Sequence, residues 1–142
     1  MIPRILIVDD EERFRTTLGK RLAERSLDVE TVGSGEEAVK IIKEKLFDVI
    51  ILDVKMPGMD GIETLTEIKK ANPNIEVLLL TGHASVDSAV DGMRLGAFDY
   101  LMKPCEIEVL MDKINGAYEI KAGRDERIRQ AEIRRLVDRS PS

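Results

Sequence analysis

Three stretches of this chain are apolar without interruption: Ile5-Leu6-Ile7-Val8, Val49-Ile50-Ile51-Leu52 and Val77-Leu78-Leu79-Leu80. A strand covered on one face alternates apolar and polar residues, whereas a strand covered on both faces does not. The three runs therefore predict buried strands with helices packed on each side. Weaker strand patterns lie at 28–32 and 98–102.

Segments of helical period separate these runs. Phe14, Leu18 and Leu22 share a face, as do Ala38, Ile41 and Ile42, which follow the capping-box pattern Ser34-Gly35-Glu36-Glu37. Ile62, Leu65 and Ile68 form a third stripe, ended by Asn72-Pro73-Asn74. Val86, Ala89, Val90 and Met93 form a fourth, stopped by Gly96, and Ile107, Leu110, Met111 and Ile114 a fifth. Parallel strands need crossover connections, and the short spacers leave room for little but helices. The pattern predicts a doubly wound α/β domain: a five-stranded parallel sheet flanked by five helices. Ligands of such folds sit at the carboxyl ends of the strands. After Gly123 a charged pattern containing Ile128, Ala131, Leu136 and Val137 predicts an extra C-terminal helix, extending the fifth or folding beside it.

Composition narrows the class. The chain has 142 residues, 43% hydrophobic and 35% charged, which fits one globular domain. Its net charge of -5 argues against nucleic acid as the main partner, so no direct DNA binding is expected. The single cysteine, Cys105, excludes an internal disulfide and is read as a buried structural thiol. There is no signal-peptide pattern and no apolar run long enough to span a bilayer, so the expected location is cytoplasmic, away from membranes. Residues 119–142 carry seven Lys/Arg against five Asp/Glu, while the remainder is strongly acidic. The expected organisation is a domain over 1–120 with a charged helical tail over 121–142.

Chemistry-bearing residues recur where the strands end. Asp9 and Asp10 follow the first strand, Asp53 the third, Thr81 closes the fourth, and Lys103-Pro104 follows the fifth. Singly, each has an ordinary explanation: an acid after a strand caps a helix or complements its dipole, and Lys-Pro makes a turn. Together they place three carboxylates, a hydroxyl and an ammonium along one sheet edge. One lysine against three carboxylates leaves two negative charges, which one divalent cation neutralises. An all-oxygen set without His or Cys points to Mg²⁺, with Mn²⁺ as a substitute. Magnesium commonly works with phosphate oxygens, and a carboxylate can serve as a nucleophile toward phosphorus. Thr81 suits a hydrogen bond to a phosphoryl oxygen and Lys103 an offset of its charge.

The stretches "ILIVDDEE", "DVIILDVKMPGMDGIE", "LLLTGHAS" and "GAFDYLMKPCEIEVL" together resemble the receiver domain of bacterial two-component response regulators. The resemblance spans about Arg4 to Tyr118. It implies the flavodoxin-like fold with strand order 2-1-3-4-5. It implies that Asp53 accepts a phosphoryl group from a sensor histidine kinase or a phosphotransfer protein. Asp10, Asp53 and the backbone carbonyl of Lys55 would ligate Mg²⁺, with Asp9 acting through a water. Lys103 would pair with the phosphoryl group, Thr81 would move to bond it, and Tyr100 would be the aromatic whose rotamer reports the state. The peptide bond before Pro104 is commonly cis in the family. The resemblance further implies that Lys55 and His83 would occupy positions that tune phosphoryl lifetime, and a slow to moderate autodephosphorylation is expected. Gly92 within the fourth helix either loosens an element that shifts on activation or permits close packing. Met56 and Met59 flank a turn as core packing or as a kinase contact. Glu11 and Glu12 open the first helix and need no further role.

Such a domain catalyses only its own phosphorylation and dephosphorylation. Output is expected through the face of the fourth helix, fifth strand and fifth helix, by contact with a downstream protein or in a homodimer, as a single-domain regulator. Two other readings compete. An aspartate-nucleophile, Mg²⁺-dependent phosphatase typically has an acid two residues after the nucleophile, where this chain has Lys55. A pseudo-receiver binding module would lack part of the set Asp9, Asp10, Asp53, Thr81 and Lys103.

Overall fold

The computed structural model describes residues 2–82 and 86–139. Strands and helices alternate along the chain: β1 (Arg4–Val8), α1 (Glu12–Glu24), β2 (Asp28–Val32), α2 (Gly35–Ile41), β3 (Val49–Leu52), α3 (Gly61–Ala71), β4 (Glu76–Thr81), α4 (Val86–Arg94), β5 (Asp99–Met102) and α5 (Ile107–Arg139). The five strands form one parallel sheet in the order β2-β1-β3-β4-β5.

The uninterrupted apolar runs have a direct structural reason. Alternate residues point to opposite faces, and both faces are covered. Leu6, Val8, Ile50, Leu52 and Leu79 pack with Leu65 and Ile68 of α3. Ile5, Ile7, Val49, Ile51, Leu78 and Leu80 pack with Leu18 and Leu22 of α1 and Leu110 and Ile114 of α5. Each such side chain contributes about 1.5–3 kcal/mol by leaving water. The edge strand β2 lacks this burial, which is why its pattern is weaker.

Local chemistry sets the helix ends. Ser34 Oγ accepts from the Glu37 N–H at 3.1 Å, but the reciprocal carboxylate bond reaches Gly33 N at 2.8 Å rather than Ser34. Asp60 caps α3 by accepting from Glu63 N at 2.9 Å. Helix α4 closes with Ala97 N–H to Gly92 O at 3.0 Å and Gly96 N–H to Met93 O at 3.2 Å. That paired pattern requires a left-handed residue, and Gly96 has φ +99°.

The apolar stripe of α4 does not face the core: Val86, Val90 and Met93 are exposed. The buried residue of α4 is Gly92, where an ideal Cβ would lie 2.4 Å from Leu79 Cδ1. Close packing against β4 is thus what this glycine provides. Of the two readings left open for the C-terminal pattern, extension is the one seen: it continues α5, a single helix of 33 residues. The boundary expected between 120 and 121 falls inside it. Contacts with the sheet persist beyond that point: Lys121 Nζ lies 3.1 Å from Asp48 and Arg124 2.5 Å from Glu76.

Candidate functional site

Strands β1 and β3 are neighbours, and the Asp53 N–H donates to Val8 O at 3.0 Å, so their carboxyl ends abut. Here the sheet order reverses: the chain leaves β1 for β2 on one side and returns to β3 on the other. Such a crevice is where doubly wound folds bind ligands. Asp9 and Asp53 are buried, at 2% and 4% exposure, while Asp10 faces solvent. One oxygen from each of the three carboxylates lies within 4.8 Å of the others.

Buried carboxylates need partners. Lys103, just after β5, supplies one: its Nζ lies 2.7 Å from Asp9 Oδ2, 3.5 Å from Glu11 Oε1 and 3.6 Å from Asp53 Oδ2. Asp9 Oδ1 also accepts from Glu11 N at 2.9 Å. Burial pushes the Asp9 carboxyl above its ordinary value, more than the Lys103 and Glu11 hydrogen bonds pull it down. For Lys103, burial alone would lower the value, but the hydrogen bond to Asp9 and the charges of Asp53, Asp9 and Glu11 outweigh it. The ammonium therefore holds its proton more tightly than a free lysine. Glu11, expected to serve only the helix dipole, joins this ring of charge around Lys103.

Asp53 Oδ1 is buried and has no hydrogen-bond partner among the described residues. An orphaned carboxylate oxygen beside two further carboxylates, with one ammonium to balance three charges, fits a hard divalent cation held by oxygen. The backbone approach that shapes this corner depends on Gly61: an ideal Cβ there would lie 2.2 Å from the Asp53 carbonyl oxygen. Only glycine lets the start of α3 pass so near.

The remaining predicted residues take the following places. Thr81 is fully buried at the end of β4, and its carbonyl accepts from Lys103 N at 2.8 Å. Tyr100 lies opposite Leu79 in the β4–β5 register, half-buried against the core layer that contains α3, with its Oη out of solvent. Lys55 is exposed in the loop after β3 and borders a groove of about 580 Å³ with Pro57, Asp60, Ser88 and Asp91. His83 falls outside the described residues. The Lys103–Pro104 peptide bond is cis. Met56 is buried in the core, so packing explains it. Cys105, expected to be buried, is only half-buried, and partial burial raises its thiol pKa.

Three further residues contribute to the site. Phe14 presents its ring to Lys103 Nζ at 3.9 Å from the centroid. Glu36 accepts from Met59 N at 2.8 Å and so anchors the loop that carries Lys55. Gly61, within the stretch "DVIILDVKMPGMDGIE", gives the close approach of α3 to Asp53.

Residues 5–115 match the family model described as the response regulator receiver domain. The chain belongs to that family. The receiver shares 43% identity over 106 residues with the transcriptional regulatory protein ZraR of Klebsiella oxytoca, covering 75% of this chain and 24% of the relative. It is 36% identical over 138 residues to the transcriptional regulatory protein GlrR of Escherichia coli K12, covering 96% of this chain and 30% of GlrR. Its fold matches a CheY-like receiver domain protein from Methanospirillum hungatei with a TM-score of 0.84 at 29% identity, over 87% of this chain and 99% of that one. The receiver thus spans about a quarter to three-tenths of the length of those two regulators. Among its described residues, no helix is long and apolar enough to cross a membrane.

Proposed function

We propose that this receiver is a phosphorylation-operated switch with Asp53 as phosphoacceptor. The observation that carries the reading is Asp53 Oδ1: a buried carboxylate oxygen without a hydrogen-bond partner among the described residues, while Oδ2 faces the Lys103 ammonium at 3.6 Å. A carboxylate held this way keeps a lone pair available for attack at phosphorus. An oxygen–phosphorus bond forms to Asp53, the phosphorus–nitrogen bond of a phosphohistidine donor breaks, and the imidazole leaves to take up a proton from solvent. The donor is a histidine kinase or phosphotransfer protein.

Asp10, Asp53 and the Lys55 carbonyl would hold Mg²⁺, with Asp9 behind them. The ion supplies charge compensation for phosphoryl oxygens. Lys103 neutralises part of the added charge and keeps the acylphosphate oriented. Thr81 shares the sheet edge with Lys103 and offers a small hydroxyl to a phosphoryl oxygen. Its movement frees space for the Tyr100 ring, which carries the change to the surface of α4, β5 and α5. That surface suits a protein partner: Val90, Met93, Leu95 and Met102 are all exposed there. Lys55 beside the site slows the approach of hydrolytic water.

The test is incubation with acetyl phosphate and Mg²⁺, read on a phosphate-affinity gel. A shifted band for wild type and none for Asp53→Asn is expected. An equal band in both would overturn the assignment.

A further inference from the structure

Phe14 stands in the first turn of α1, with its ring face toward the Lys103 ammonium at 3.9 Å. The same ammonium has Asp9, Glu11 and Asp53 oxygens at 2.7, 3.5 and 3.6 Å. The lysine therefore has anions on one side and an aromatic face on another, with only 14% of its side chain exposed. Its four-carbon stem would otherwise sample many rotamers. The negative face of a ring attracts a cation, and the attraction grows as water is excluded.

Phe14 is itself held. It packs against the core layer containing Leu18, Leu80 and Leu110, and it closes one side of a small cavity of about 160 Å³ bordered by Pro104 and Cys105. Its ring thus forms a wall between this apolar cavity and the charged site. A ring face also differs from a hydrogen bond in tolerance: a cation can slide across it while the attraction persists. The Asp9 contact, in contrast, is short and directional.

We propose that Phe14 is a positioning residue for phosphoryl transfer at Asp53. The ring holds Lys103 Nζ between the carboxylates and shields its far side from water. It also lets the ammonium shift from Asp9 toward a phosphoryl group on Asp53 without losing the aromatic contact. This inference rests on the phosphoacceptor reading of Asp53.

The experiment compares wild type, Phe14→Met and Phe14→Tyr, the first variant keeping the volume and losing the aromatic face, the second keeping both. In unphosphorylated protein with labelled lysine, the Lys103 ε-methylene resonance, assigned by its loss in Lys103→Arg, should be shifted upfield by the ring. That shift should persist in Phe14→Tyr and vanish in Phe14→Met. With phosphoramidate and Mg²⁺, Phe14→Met should lower the limiting rate of phosphorylation about tenfold, with the half-saturating donor concentration unchanged. Phe14→Tyr should stay within about twofold of wild type, which a cation–π origin requires. In a Lys103→Met background, Phe14→Met should have no further effect. A Phe14→Met rate equal to wild type, an equal fall for Met and Tyr, or a penalty that survives in Lys103→Met would overturn the proposal. If wild type takes no phosphate at Asp53, the phosphoacceptor reading fails instead, and the methylene shift still decides whether Phe14 fixes Lys103.

Discussion

The Glu76 carboxylate, at the first residue of β4, is almost fully buried and meets the Arg124 guanidinium of α5 at 2.5 Å. One turn earlier on the same helix, Lys121 reaches Asp48, whose backbone carbonyl accepts from Glu76 N. Two acids at the amino ends of adjacent strands are thus each matched by a cation of α5. Removing one partner of a buried pair leaves the other charge stranded. Arg124→Met should cost about 1–2 kcal/mol in urea unfolding, the low figure reflecting the partial exposure of the arginine. A chain ended at residue 120 should lose at least as much. Unchanged midpoints would show that 121–125 are dispensable to the fold.

Gly92→Ala tests the contact with Leu79. Alanine should gain about 1 kcal/mol of helix propensity but must displace a packed leucine, which costs about 1–3 kcal/mol. A net loss of about 1 kcal/mol is expected on thermal unfolding. Leu79→Val in the same chain should recover part of it, giving a double-mutant coupling. Additive losses would mean the two residues do not press on each other.

Magnesium should stabilise the domain. At a free concentration one hundred times its dissociation constant, the gain is about 2.7 kcal/mol. Without the ion, Asp10→Asn should be as stable as wild type or up to about 1 kcal/mol more so, because a like charge beside Asp9 and Asp53 is gone. With the ion, the variant should gain far less than wild type in a thermal melt. Equal gains would remove Asp10 from the ion's ligands.

Acid should weaken the β5–α5 junction. Burial alone would raise the Asp99 carboxyl, but the Lys113 hydrogen bond, the Tyr100 N–H and the Lys113 charge together hold it below the ordinary 3.8. A carboxyl lowered in the folded state stabilises it above the unfolded pKa, and that stability is lost as pH falls through the folded value. Asp99→Asn should therefore cost about 0.5–1 kcal/mol at pH 7, since Lys113 is partly exposed. The gap from wild type should close as pH falls below the ordinary 3.8 and through the lower folded value. A gap that stays constant through that range would assign the effect to packing.

The legible parts of this molecule are those in which neighbours in sequence act together. The runs at β1, β3 and β4 declared two-sided burial because every residue along them faces a core layer. Asp9, Asp10, Asp53, Thr81 and Lys103 were readable because strand ends in a parallel sheet share an edge. What helix α4 faces was not legible, because periodicity marks a stripe without saying what it meets. Its apolar stripe is exposed while a side chain of zero size meets the sheet. Glu76 stands just before the apolar run of β4, and nothing near it in sequence announces that Arg124 would reach it. Phe14 belonged to an ordinary apolar stripe, and its meeting with Lys103 arises only when β1 and β5 are brought to the same edge.

Helix α5 continues unbroken from Ile107 to Arg139. At about 1.5 Å per residue, the part beyond Arg124 projects on the order of 20 Å. A lever of that length converts a tilt of about 10° at its base into roughly 4 Å of travel at its tip. Its pivot is the bank of Lys121 and Arg124 contacts, seated at the opposite end of the sheet from Asp53. Small rearrangements among α4, β5 and α5 would therefore be amplified in distance, with no further moving part.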